Sequence, residues 1–148
     1  MKRLFFLLAI IILAASCRKN KPDTPPPPPV SKQVSFAVFA GQDYSNNAQS
    51  PNGYKAASVK LIIEKMLHKT GGLQPVWDTT FSYRSLTEYP LQPQRYQVQK
   101  QIPVLESKEE LHVRYEVVYG SLYDVPQPFG FQKTIPTGEV DLHVNVEL

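Results

Sequence analysis

KAASVKLIIEKMLHK, residues 55–69, is the stretch on which the fold turns. Val59, Leu61, Ile63 and Leu67 suit a strand with one apolar face, while Ala56, Val59, Ile63, Met66 and Leu67 suit one face of a helix. Gly71 just beyond serves either as a helix C-cap or, with Gly72, as the turn of a hairpin. The neighbouring residues separate the two. Trp77, Thr79, Phe81 and Tyr83 alternate with Asp78, Thr80 and Ser82, which is the pattern of a strand returning along its partner. A sequence folds well when local and global preferences agree, so residues 55–69 are read as a strand.

Working outward, the same period of two recurs. Val34, Phe36, Val38 and Ala40 alternate with Gln33, Ser35 and Ala37; Tyr96, Val98, Ile102 and Val104 alternate with Arg95, Gln97, Gln99 and Gln101. Leu111, Val113, Tyr115, Val117 and Tyr119 face one way and His112, Arg114 and Glu116 the other. Val140, Leu142, Val144, Val146 and Leu148 oppose Asp141, His143, Asn145 and Glu147. Each run has one apolar and one wetter face. The expectation is an all-β, antiparallel two-sheet β-sandwich of about six to seven strands, a single domain without internal repeats. Its layout resembles immunoglobulin-like and fibronectin-like modules; the cysteine pair of antibody domains is absent, and Trp77 does not replace it. Pro103 belongs at an edge or a bulge, because it cannot donate to a ladder.

The chain ahead of this domain carries a different signal. Lys2 and Arg3 precede an unbroken apolar run from Leu4 to Ala15. As a helix that run covers roughly 18 Å against a hydrocarbon core of about 30 Å, too short for a good span and suited to the h-region of an export signal. It ends at LAASC, Leu13 to Cys17, which resembles the lipobox of bacterial lipoprotein precursors, with Ala14 where the family prefers a larger aliphatic residue. The resemblance implies a diacylglycerol on the Cys17 thiol, cleavage just before it and acylation of the new amino group. Residues 1–16 are then the signal peptide, residues 17–32 the lipidated cysteine with a proline-rich stalk, and residues 33–148 the sandwich. Pro22 and Pro25 to Pro29 favour an extended polyproline rod. The expected place is the bacterial cell envelope, lipid-anchored and by family analogy at the outer membrane, facing either the periplasm or the medium.

Composition narrows the function further. Cys17 is the single cysteine, so the domain is held by its core and not by a disulfide. Setting aside Lys2 and Arg3, two of the 16 basic residues, leaves a formal +1 against 13 acidic ones, no footprint for nucleic acid. The domain has no cysteine nucleophile, G-x-S-x-G elbow or glycine-rich phosphate cradle, so neither an enzyme nor a cofactor is expected. His68, His112 and His143 are widely spaced, the latter two being possible cross-strand neighbours, and lack the close ligand spacing of a metal site. Two long polar segments, residues 41–54 and 121–137, read as loops on a rigid scaffold, where binding usually resides. Tyr44, Asn46, Asn47, Tyr123, Asp124 and Phe129 are the candidate ligand-binding residues, since aromatic faces beside amides and carboxylates suit a sugar. The leading expectation is a non-catalytic binding or assembly module for an envelope or extracellular protein; the alternative is glycan binding through the loops. Exposed, adjacent Tyr44 and Tyr123 would favour the glycan, and an exposed apolar patch or open sheet edge would favour assembly.

Overall fold

The computed structural model describes residues 25–45, 53–120 and 127–148. Residues 1–16, read from sequence as a signal peptide, Cys17 and residues 18–24, together with Asn46, Asn47, Tyr123 and Asp124, lie outside the described residues. Among the described residues seven strands are formed: β1 (Val30–Phe39), β2 (Ala56–Leu67), β3 (Leu73–Ser85), β4 (Tyr96–Val104), β5 (Glu109–Gly120), β6 (Gln127–Ile135) and β7 (Asp141–Glu147). Residues 55–69 are therefore a strand, and β2 turns back into β3 through Gly71, whose φ of 66° is the left-handed region that glycine enters without a Cβ penalty.

The strands form a sandwich of a three-stranded sheet, β4-β1-β7, and a four-stranded sheet, β3-β2-β5-β6. The division into four and three is that of an immunoglobulin-like layout, while the order within each sheet is this chain's own. All pairs are antiparallel except β1 with β7, which run parallel from Gln33 opposite Asp141 to Phe39 opposite Glu147. Pro75, Pro103 and Pro128 all fall in edge strands, β3, β4 and β6, where a missing N–H need not break a ladder.

The core follows from the alternation. Val34, Phe36 and Val38 of β1 and Leu142, Val144 and Val146 of β7 face Ala57, Val59, Leu61 and Ile63 of β2 and Leu111, Val113 and Val117 of β5. Trp77 stacks on Phe36 at 6.1 Å, and Lys100 of β4 lies over the Trp77 ring, 5.3 Å from its centroid. Between β3 and β4 the chain crosses from one sheet to the other through two short 3-10 turns. The first is fixed by Ser85, whose hydroxyl accepts from the Thr87 N–H while the Glu88 carboxylate accepts from the Ser85 N–H. Tyr89 then closes the end of the core, donating its hydroxyl to the Ala57 carbonyl at 3.1 Å.

Two boundaries differ from the sequence reading. The segment expected as a stalk, residues 17–32, overlaps the first strand: β1 begins at Val30, and Lys32 sits in line with Val34 and Phe36, buried. Its three ammonium protons are matched by the carbonyls of Pro136 and Glu139, both at 2.9 Å, and the Glu106 carboxylate at 2.7 Å. A lysine thus occupies a core register because both strand-connecting turns at that end supply acceptors. The second difference is that residues 121–137 are not one loop, since β6 occupies most of them.

Candidate functional site

Of the sequence-predicted binding set, Tyr44 and Phe129 fall among the described residues. Tyr44 is buried; its hydroxyl donates to the Leu148 carbonyl at 2.9 Å, and desolvation raises its pKa. It is a tie between the first loop and the chain's last strand, which corrects its reading as an exposed ligand platform. Phe129 is exposed, but on β6 and not in a loop. Lys55 and Gly120 meet at one end of the sandwich, where the Lys55 N–H donates to the Gly120 carbonyl at 3.4 Å. That end is opposite to the one where Lys32 and the proline segment enter. His112 and His143 are not cross-strand neighbours; they stand on β5 and β7, in different sheets.

What the structure assembles instead is a flank along β5 and β6. The four-stranded sheet is wider than the three-stranded one, so the inward-facing residues of its last strand are only partly covered. Ile135 reaches the core, whereas Phe131 is 42% and Phe129 65% exposed. Phe131 stacks on Tyr115 of the neighbouring strand, with centroids 5.4 Å apart and planes 20° apart, and partial burial raises the Tyr115 pKa. Val117 lies in register with Phe129, and Tyr115 with Phe131. β6 ends its sheet: among the described residues no strand pairs with its other side. The result is two adjacent aromatic rings on an open edge, with Pro128 before them and Lys133 after.

The opposite face of the same strands is polar and ordered. Arg114 donates to both carboxylate oxygens of the buried Glu64, at 3.2 and 3.3 Å, and also pairs with Glu116, so its guanidinium is held firmly protonated. His112 is buried between Gln132 and Thr134, which lie 3.3 and 3.2 Å from Nδ1, with Glu110 3.5 Å from Nε2. Beside this row Gly130 leaves a shallow notch of about 260 Å³ lined by Arg114, Tyr115, Glu116, Phe131 and Gln132. A Cβ at Gly130 would meet nothing closer than the Tyr115 carbonyl at 3.9 Å, so the backbone does not demand glycine there for space.

Sequence reasoning singles out Phe129 but assigns it to a loop, and it places Tyr115 on the apolar face of its strand. The available signal was the spacing Phe129-x-Phe131-x-Lys133-x-Ile135, a period of two that the prolines and Gly130 obscured. The chain matches no family model, no curated protein and no solved structure, so its surface is read on its own chemistry.

Proposed function

We propose that the chain is a lipid-anchored protein of the bacterial cell envelope, tethered through Cys17, whose sandwich is a non-catalytic binding or assembly module. The observation that carries this reading is the pairing of Phe129 and Phe131 on an open edge strand. Pro128 and Lys133 stand at either side of this edge, as the proline and charge that usually guard natural sandwiches, and the two exposed aromatic rings left between them suit a protein partner. Backbone groups of β6 would pair with the partner's strand, and the rings would supply the apolar anchor, the kind of aromatic contact that dominates interface energetics. The burial of Tyr44 weighs against the loop-borne glycan alternative.

The experiment is photo-crosslinking on intact cells, with a benzophenone amino acid placed at position 129 and, as a control, at His68 in the exposed β2–β3 turn. A discrete protein adduct from position 129, lost when Phe131→Lys is added, is expected. Adducts no different from those at position 68 would sink the reading. The anchor is tested separately: Cys17→Ala is expected to accumulate as unprocessed precursor without acyl label, and normal processing of that variant would remove the lipoprotein part.

A further inference from the structure

A second surface, independent of β6, lies on the outer face of the three-stranded sheet. In its middle strand Val34, Phe36 and Val38 point into the core, so Ser35 and Ala37 point outward. Both are short. In register beside Ser35 stand Gln99 of β4 and His143 of β7, and beside Ala37 stand Gln97 and Asn145. A floor of two small residues between two rows of long polar ones makes a cleft of about 240 Å³, with Arg95 at one end. The walls are two strand spacings apart, about 9–10 Å, and the volume is below the roughly 300–1,000 Å³ of drug-sized pockets. The cleft therefore has room for one ring and not for a nucleotide-sized cofactor.

The floor points to a ligand. Ser35 is only 8% exposed, and among the described residues no group bonds its buried hydroxyl. A buried hydroxyl without a partner costs the fold free energy that alanine would not. Gln99 and His143 flank it from exposed positions on edge strands, and such side chains change rotamer rapidly, so an incoming group reaches Ser35 by turning one of them aside. The remaining chemistry is selective. Three of the four wall residues carry amides, which both donate and accept, matching hydroxyl groups that do the same. Arg95 makes no ion pair among the described residues, and Asp141 and Glu147 on the same face do not line the cleft.

The geometry points to a binding site for one hydroxyl-rich sugar ring bearing a carboxylate. Its hydroxyls are shared among Gln97, Gln99, His143, Asn145 and the Ser35 Oγ, and its carboxylate rests on Arg95. This places glycan binding on a sheet face, away from the loops.

The test is calorimetric titration of the full chain in mild detergent with short galacturonate and glucuronate oligomers, using galactose and glucose oligomers of equal length as controls. Acidic oligomers are expected to bind at least tenfold more tightly than neutral ones, and Arg95→Gln to erase that difference. Ser35→Ala is expected to weaken binding about tenfold while leaving the melting temperature unchanged or higher, a combination that a purely structural serine does not produce. Gln99→Leu, on an exposed edge position with no part in the core, is expected to weaken binding as well. The proposal is overturned by no binding of acidic oligomers at millimolar concentration, by equal affinity for neutral ones, or by unchanged affinity in both Ser35→Ala and Gln99→Leu.

Discussion

Lys32 shows how one side chain closes an end of this sandwich. It occupies a register that alternation assigns to the core, and it is accommodated because two backbone carbonyls and Glu106 take all three of its protons. Lys32→Met keeps the stem but leaves the Pro136 and Glu139 carbonyls short of a donor, and is expected to cost about 2–3 kcal/mol in denaturant unfolding. The titrating groups frame the working pH. Glu106 and Glu109 are held below the usual carboxylate range, first by hydrogen bonds from Lys32 and Lys65 and then by the Gly138 and Leu105 N–H groups. A depressed folded pKa gives stability that is present above the unfolded value of about 4.3 and lost as pH falls through the folded one. Tyr89 has the opposite sign: burial pushes its hydroxyl up to about 12, so its contribution is present below about 10 and lost as pH rises through 12. Denaturation midpoints measured against pH are expected to be flat between these limits and to fall on both sides. Glu106→Gln with Glu109→Gln should flatten the acid limb, and Tyr89→Phe the alkaline one. None of this was legible in the sequence, where Lys32 stood beside a proline run and a buried lysine is rare.

At the scale of elements, the strands with clean alternation were legible and β6 was not. β2, β5 and β7 follow from period two because their inner residues are all apolar. β6 escaped because Pro128 and Gly130 are loop residues by composition, and because its inner residues Phe129 and Phe131 are not fully covered, so the usual contrast between buried and exposed faces is weak. Long side chains over an uncovered edge should matter little to folding. Phe129→Lys is expected to change stability by about 0.5 kcal/mol or less, whereas Phe36→Ala, in the centre of the core, should cost about 3–5 kcal/mol. Thermal or chemical unfolding of both variants checks the contrast, and a large loss from Phe129→Lys would show that β6 belongs to the core. The cleft over Ser35 was equally invisible, since strand alternation predicts that a serine faces outward but not which residues stand beside it. That requires the register of β4 and β7, which no local pattern specifies.

For the molecule as a whole, the decisive contact joins the first strand to the last. β1 lies between β4 and β7, so the smaller sheet cannot be completed until the end of the chain returns to its beginning. Such non-local pairing places folding in a range of about milliseconds to seconds, and stopped-flow refolding is expected to fall there; microsecond relaxation would contradict it. The same pairing has a mechanical meaning. Because β1 and β7 run parallel, Val30 and Glu147 sit at opposite ends of the sheet, and tension applied between the proline segment and the far end of the domain acts along the ladders and not across them. Hydrogen bonds on both sides of β1 then share the load and must shear together instead of unzipping one by one. A domain pulled between the proline segment and the far end of β7 would therefore yield abruptly at high force and hold its shape below it.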